Sequence, residues 1–184
     1  MTAVSNGKVT TKEMALIGVM TAITCVIAPF SIPLPISPVP ITLGTLALYY
    51  SVYLLGTKNA FVSCLVYLMT GFLGMPVFSG FTGGFGRLAG PTGGYMIGYL
   101  LMILVSGSLL EKGKPSRAQQ ALSLAAGTAV CYLFGTIWLC LQMDLDFAGG
   151  LSIAVLPYLP FDFIKILLTV MTGPVIARRV KRAL

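Results

Sequence analysis

Histidine is absent from this chain of 184 residues, and aspartate and glutamate together number only five. Histidine is the commonest general base and metal ligand, so its absence disfavours hydrolytic chemistry. Charged residues make up 9% of the chain, whereas a soluble globular domain carries about a quarter. Water is therefore not the solvent for most of the molecular surface.

The four cysteines, at positions 25, 64, 131 and 140, all fall inside apolar segments and form no Cys-x-x-Cys pair. We interpret them as small buried hydrophobic residues. The chain also lacks an ATP-binding P-loop, because Ser108 occupies the first glycine position before Gly113-Lys114 and Pro115 follows the lysine. We predict no catalytic residue, no metal site and no catalytic cofactor.

Hydrophobic residues, by contrast, make up 57% of the sequence and follow one another in long runs. At a rise of about 1.5 Å per residue, roughly 20 apolar residues cross the hydrocarbon core of a membrane. The runs predict six spans, near Met14 to Phe30, Ile41 to Leu55, Ala60 to Met75, Gly93 to Leu110, Ala118 to Met143 and Phe161 to Ala177. The predicted fold is an all-α integral membrane protein, a bundle of six transmembrane helices.

Basic residues predict the orientation of this bundle. With six alternating spans, ten of them fall on one side, which the positive-inside rule assigns to the cytoplasm together with both termini. They are Lys8, Lys12, Lys58, Lys112, Lys114, Arg117, Arg178, Arg179, Lys181 and Arg182. The net charge of +7 is therefore read as a mark of topology, and no nucleic-acid partner is expected.

The domain prediction follows from the spans. We expect a single membrane domain over residues 1–184, with no soluble domain left over. Residues 1–12 form a cytoplasmic N-terminal segment, residues 13–177 a six-helix substrate-binding bundle, and residues 178–184 a basic cytoplasmic tail. Membrane lipid is the expected surrounding of the bundle.

The connection between the first two spans, residues 31–40, carries prolines at positions 33, 35, 38 and 40. Proline prevents helix formation and favours an extended backbone. We interpret this apolar segment either as a plain connector or as a lid that folds over a binding site, because lids are drawn from loops.

The third connection, residues 76–92, is rich in glycine and phenylalanine. Its glycines, which include Gly84, allow positive φ angles and a close approach of the backbone to a ligand. Its phenylalanines, which include Phe85, supply apolar faces. Arg87 is the only basic residue in a predicted outer connection, which makes this loop a candidate part of a binding site.

Asp162 and Lys165 are charges that topology does not explain. They stand three residues apart at the start of the last span, so they share one helix face, and an ionisable group in a membrane is costly unless it is paired or faces a cavity. One interpretation is a helix cap with a lysine that extends to the interface. We favour a ligand site that, with Arg87, suits a small anionic substrate carrying N–H and C=O groups. The tyrosines of these segments either line that pocket or belong to an interfacial belt: Tyr95, Tyr99, Tyr132 and Tyr158.

Small residues predict helix contacts. Gly18-x-x-x-Ala22 in the first span and Gly94-x-x-x-Gly98 in the fourth let helices approach closely. Both patterns are explained by packing within the bundle, and the first-span face is also suited to a second membrane protein. Since the chain has no P-loop, driven transport would require such a partner.

Three segments resemble the BioY family, the biotin-specific S components of energy-coupling-factor (ECF) transporters. They are Pro35-Ile-Ser-Pro-Val-Pro-Ile-Thr42, Gly83-Gly-Phe-Gly-Arg-Leu-Ala-Gly-Pro-Thr-Gly-Gly-Tyr95 and Pro160-Phe-Asp-Phe-Ile-Lys165. The resemblance implies a six-helix bundle in the cytoplasmic membrane of a prokaryote, which binds and takes up biotin beneath the first and third connections. It also implies a transmembrane coupling subunit that contacts Gly18 and Ala22, and two ABC-type ATPases.

The same resemblance suggests roles for the site residues. Asp162 would accept N–H bonds from the ureido ring, and Lys165 would donate to the ureido oxygen or balance Asp162. Arg87 would hold the carboxylate or brace its own loop. Gly84, Phe85, Tyr95, Thr42 and Tyr158 complete the candidate substrate-binding set.

Three other functions remain open. The chain could be an S component for another small vitamin, or a stand-alone secondary transporter that uses the Asp162 and Lys165 pair as a proton relay. An intramembrane enzyme is disfavoured, because it would need a positioned base, nucleophile or metal.

Overall fold

A computed structural model of the chain describes residues 10–113 and 115–183. The elements in chain order are α1 Thr11–Ile27, β1 Ser31–Leu34, β2 Ser37–Thr42, α2 Gly44–Phe72, α3 Phe85–Ala89, α4 Gly93–Leu110, α5 Arg117–Met143, α6 Phe147–Ala154 and α7 Leu159–Ala183. Lys8 and Lys114, two of the basic residues used to predict orientation, lie outside the described residues. The fold is mostly helical.

Four of the described helices are long and apolar enough to cross a membrane. They are α2, α4, α5 and the part of α7 from Leu159 to Val180. Helix α1 covers most of the first predicted span, up to Ile27, and is 17 residues long. Most of the second and third predicted spans falls within α2, with a much shorter break between them than the sequence suggested.

Helix α2 reverses direction at Gly56. This glycine has φ 75° and ψ 173°, a conformation outside the helical region that glycine adopts at little steric cost. Without a break, 29 residues would extend about 43 Å. Both ends of α2 nevertheless lie near the end of α1: Gly44 packs against Ala28, and the loop after α2 bonds to the Pro29 carbonyl through the N–H of Gly80. Residues 44–55 and 57–72 therefore form two antiparallel limbs.

The proline-rich connection forms a β-hairpin, residues 31–42. Strand β1 pairs with β2 in antiparallel register, with Ser31 opposite Thr42 and Ile32 opposite Ile41, and the register is irregular beyond that point. Proline has no N–H to donate to the ladder, which accounts for the short regular pairing. The extended backbone predicted for this segment is confirmed, and the structure adds to it a short two-stranded pairing within a mostly helical fold.

Helices α4 and α5 pack closely because glycines lie at their contact. A Cβ atom at Gly94 would overlap the Trp138 side chain, and one at Gly98 would lie 3.0 Å from the Cys131 sulfur. The predicted role of the Gly94 and Gly98 pair in bundle packing is confirmed. Gly18 differs, since a Cβ atom there would meet nothing within 4 Å.

A hydrogen bond connects α7 to α5 at a carbonyl that a proline leaves without its helical donor. Pro174 has no N–H, so it cannot donate to the carbonyl of Val170 four residues earlier. The Arg117 side chain at the start of α5 supplies a donor instead: its Nη1 group bonds to the Val170 carbonyl and lies 3.4 Å from the Met171 carbonyl. Because Pro174 leaves the Val170 carbonyl without a backbone donor, this carbonyl accepts the bond from Arg117 that positions α7 against α5.

We predict that Arg117→Met lowers the free energy of unfolding by about 1.5–3 kcal/mol, the range for a hydrogen bond from a charged donor. The loss should shrink in a Pro174→Ala background, because the new N–H at position 174 can donate to the Val170 carbonyl. Thermal unfolding of the purified protein in detergent measures both effects. Arg179→Met, at an exposed position on the same helix, is the control. Equal losses in both backgrounds would contradict this account.

Candidate functional site

A buried ion pair lies where α7 begins. Asp162 and Lys165 are only 7% and 9% exposed. The Lys165 Nζ atom donates to Asp162 Oδ1 at 2.9 Å, to the Thr42 carbonyl at 2.8 Å and to Thr45 Oγ1 at 3.0 Å. An ammonium group has three N–H donors, so all of them are satisfied. The lysine connects α7 to the hairpin and to the start of α2.

The second carboxylate oxygen of Asp162 is bound from α5. The Tyr132 hydroxyl donates to Asp162 Oδ2. Within the described residues, neither hydrogen bond of the carboxylate comes from a backbone N–H. The geometry therefore argues against the helix-cap interpretation and shows Asp162 as the centre of a network joining α5, α7 and the hairpin.

The hairpin is held over this network at two points of β2. The Tyr158 hydroxyl, just before α7, bonds to the Val39 carbonyl in β2. Thr42 Oγ1 donates to the Ala28 carbonyl at 2.9 Å and accepts from the Gly44 N–H at 3.0 Å. The hairpin position thus depends on side chains from α7 and on the end of α1.

The glycine-rich loop presents Arg87 from the short helix α3. Gly84 precedes this helix with φ 93°, and its N–H donates to the Gly71 carbonyl at 2.7 Å. Arg87 Nε donates to Thr82 Oγ1 at 3.0 Å. Among the residues described, the terminal nitrogens of the guanidinium have no hydrogen-bond partner. The arginine therefore braces its loop with one nitrogen and keeps the others available.

A narrow cleft lies between the hairpin, this loop and α4. It is lined by Val39, Pro40, Thr42, Ser79, Arg87, Thr92, Tyr95, Met96 and Tyr99. Its volume is about 20 Å³, which is room for about one water molecule. The combination of apolar walls with a few polar groups is typical of small-molecule sites, although the cleft is closed as it stands.

The structure brings most of the predicted site residues to this end of the molecule. Thr42, Arg87 and Tyr95 line the cleft. Asp162 and Lys165 adjoin it through the bond to Thr42, and Tyr158 adjoins it through Val39. The Tyr95 hydroxyl itself bonds to Thr136 Oγ1 at 3.0 Å.

The other predicted residues lie elsewhere. Phe85 is 66% exposed and packs edge-on against Phe72, with ring centroids 5.9 Å apart, so it is not among the lining residues. Gly84 shapes the loop that carries Arg87. Gly18 and Ala22 lie on an exposed face of α1 and are not among the residues that line the cleft.

Several residues that the structure places at the site were not selected as site candidates from the sequence. Thr45 binds Lys165, Tyr132 binds Asp162, and Ser79 lines the cleft. Tyr132 stood out only as one of several tyrosines that could line a pocket, since its partner is 30 residues away.

A helical membrane bundle with a buried, hydrogen-bonded ion pair beside a cleft has the features of a membrane protein that binds a small solute. Comparison with known families identifies which membrane proteins of this class the chain resembles. The model of the BioY family matches residues 2–182, and the chain belongs to that family. The resemblance found in the three sequence segments is confirmed.

Relatives with established names are similar over nearly their whole length. Biotin transporter BioY of Thermotoga maritima is 36% identical over 171 residues, which are 93% of this chain and 96% of that protein. Probable biotin transporter BioY of Pyrococcus horikoshii is 35% identical over 170 residues, 92% and 96% of the two chains.

A solved structure has the same fold. The S-component for biotin from an ECF-type ABC transporter superposes with a TM-score of 0.83 and 28% identity, covering 95% of each chain. Together with the apolar helices, these comparisons identify a multi-pass protein of the prokaryotic cell membrane.

We predict that Lys165→Met and Asp162→Asn each destabilise the protein, the lysine change by about 3–5 kcal/mol, because either one leaves a buried partner unpaired. The double variant should lose less than the sum of the two. Thermal unfolding in detergent completes this double-mutant cycle. Lys58→Met, at an exposed position, is the control. Strictly additive losses would show that the two side chains do not interact.

Proposed function

We propose that this chain binds biotin and takes it up across the cell membrane as the substrate-specific subunit of an ECF-type ABC transporter. The observation that carries the proposal is the buried Asp162 and Lys165 pair beside a cleft that also contains Arg87. Biotin offers matching groups: a ureido ring with two N–H donors and one C=O acceptor at one end, and a carboxylate at the other. The names of the relatives from Thermotoga and Pyrococcus support the same substrate.

The ureido ring is proposed to bind at the ion pair. A carboxylate has about four lone-pair sites, so Asp162 can accept ligand N–H groups in addition to, or in exchange for, its present bond to Tyr132. The Lys165 ammonium already bonds to three acceptors, so it would exchange one of them for the ureido oxygen. Each hydrogen bond that involves a charged group contributes about 1.5–3 kcal/mol.

The valeryl carboxylate is proposed to bind Arg87. Its Nε group is held by Thr82, which fixes the plane of the guanidinium, while the terminal nitrogens remain available for a carboxylate. The apolar parts of biotin would then lie against Val39, Pro40 and Met96 of the cleft wall. Tyr99 joins this wall, and within the described part of the chain its hydroxyl has no partner.

The hairpin is proposed to act as the lid of the site. A cleft of about 20 Å³ cannot hold biotin, so binding requires movement of one of its walls. The hairpin is the wall held chiefly by side-chain contacts, from Tyr158 to Val39 and from Lys165 to Thr42. A ligand that takes a hydrogen bond from Lys165 would release one of those contacts. Substrate entry and hairpin movement are therefore coupled in this proposal.

The membrane arrangement we propose has six spans: α1, the two limbs of α2, α4, α5 and α7. Two contacts support it. The Thr57 N–H bonds to Glu111 Oε1 at 2.8 Å, which places the Gly56 turn and its neighbour Lys58 beside the end of α4. Arg117 follows shortly and contacts α7. Lys58, Lys112 and Arg117 thus lie at the end away from the cleft, whereas Arg87 and Lys165 belong to the candidate site, and this distribution supports a cytoplasmic position for both termini.

For the wider organisation, we propose the arrangement predicted from the sequence. We propose a single domain with the segments 1–12, 13–177 and 178–184, surrounded by lipid. Its partners would be a transmembrane coupling subunit and two ABC-type ATPases, and no catalytic activity or nucleic-acid binding is assigned to it. The exposed small-residue face at Gly18 and Ala22 supports a helix contact there, because nothing in the described bundle covers it.

We predict that Arg87→Gln weakens biotin binding about tenfold or more but leaves the binding of biotin methyl ester nearly unchanged, because the ester offers no charge to Arg87. Isothermal titration of the purified protein with both ligands measures this difference. Lys58→Gln, which removes one charge near the Gly56 turn, is the matched control. If Arg87→Gln weakened both ligands equally, Arg87 would support its loop and not the carboxylate.

Asp162→Asn should behave differently. It removes the anionic acceptor for the ureido N–H groups, which biotin and its methyl ester share, so both affinities should fall by the same factor of about ten or more. The same titrations provide the measurement. Undiminished binding of both ligands by a folded Asp162→Asn protein would reject the assigned role.

A further inference from the structure

A second cavity lies at the opposite end of the molecule, between the start of α5 and the last part of α7. It has a volume of about 290 Å³, far larger than the closed cleft. It is lined by Pro115, Ser116, Arg117, Gln120, Pro174, Val175 and Arg178. Two of these residues are arginines, and none is acidic. The biotin proposal does not use this cavity.

The neutral polar groups of this cavity already have partners. Gln120 accepts from the Tyr53 hydroxyl at 3.2 Å and donates to the Pro115 carbonyl at 2.9 Å. Ser116 caps α5 through Gln119. These contacts give the cavity fixed walls, and they leave the arginines as its available polar groups.

Among the described residues, both arginines have guanidinium N–H groups without a hydrogen-bond partner. Arg117 bonds to carbonyls of α7 through Nη1 alone, and Arg178 is exposed, with no hydrogen-bond partner among the described residues. A guanidinium is a planar fork of N–H donors that matches the oxygens of a phosphate. Two such groups on one cavity favour a phosphate-bearing anion.

The surface beside the cavity indicates where that anion comes from. Leu168, Met171 and Val175 of α7 are exposed apolar residues, and their spacing of three and four places them on one helix face. Arg178 continues this face by another three residues. An apolar stripe that ends at a basic residue fits an acyl chain and its headgroup, and basic pockets between transmembrane helices bind anionic lipid headgroups.

We propose that this cavity binds the headgroup phosphate of an anionic lipid between Arg117 and Arg178, with the acyl chains along the exposed face of α7. The bound lipid would join α5 to α7 next to Pro174, where the direct contact is the Arg117 bond to the Val170 carbonyl. The inference is independent of biotin binding, which takes place at the other end of the bundle.

The test titrates the purified full chain, in a nonionic maltoside detergent, with short-chain phosphatidylglycerol. Phosphatidylcholine of the same chain length and inorganic phosphate are the comparison ligands. Arg178→Gln is the test variant, because it leaves the Arg117 bond to α7 intact. Arg179→Gln removes the same charge from the next residue, which is exposed and does not line the cavity, and serves as the matched control.

Phosphatidylglycerol should bind the unchanged protein and Arg179→Gln equally, and should bind Arg178→Gln about fivefold more weakly. Phosphatidylcholine should bind more weakly than phosphatidylglycerol to the unchanged protein. Equal losses in the two variants would reduce the effect to diffuse charge and overturn the site. Equal binding of the two lipids would also overturn it. Inorganic phosphate that bound as tightly as phosphatidylglycerol would assign the cavity to a free anion and overturn the lipid proposal.

Discussion

The ammonium group of Lys165 is the constraint on which the hairpin end of this structure depends. A charge in an apolar environment is tolerated only when it is paired and its hydrogen bonds are satisfied. Lys165 meets this condition with an aspartate from its own helix, a carbonyl from the hairpin and a hydroxyl from α2. Asp162 then recruits Tyr132 from α5. One buried charge therefore determines how four elements lie relative to one another.

At the opposite end of the molecule, a glycine and a proline determine how the helices are arranged. Gly56 lets α2 reverse within a single residue, and Pro174 frees a carbonyl that Arg117 then binds. Neither contact involves the cleft. The bundle thus has one end built from a polar network that a ligand can enter, and another end where basic side chains position the helices. This division is consistent with a subunit that binds its substrate on one side of the membrane and meets its partners within it.

Features with a local physical cause could be predicted from the sequence. Apolar run length indicated the helices, the prolines between residues 31 and 40 indicated extended backbone, and Gly94 with Gly98 indicated a close helix contact. The Asp162 and Lys165 pair was recognisable because charge is costly in a membrane. Features that depend on distant residues were not predictable: the hairpin pairing, the bond from Tyr132 and the outward position of Phe85 all result from tertiary packing. The single-residue turn at Gly56 was also missed, because Lys58 suggested a longer connection.

Calorimetric titration of biotin into the purified chain, with thiamine as the comparison, tests the central claim most directly. The account predicts saturable, tight binding of biotin by this subunit alone, without ATPases, and no heat of binding from thiamine. A folded sample that gave no signal with biotin, or that bound thiamine equally well, would contradict the assignment of the buried pair and Arg87 to biotin recognition.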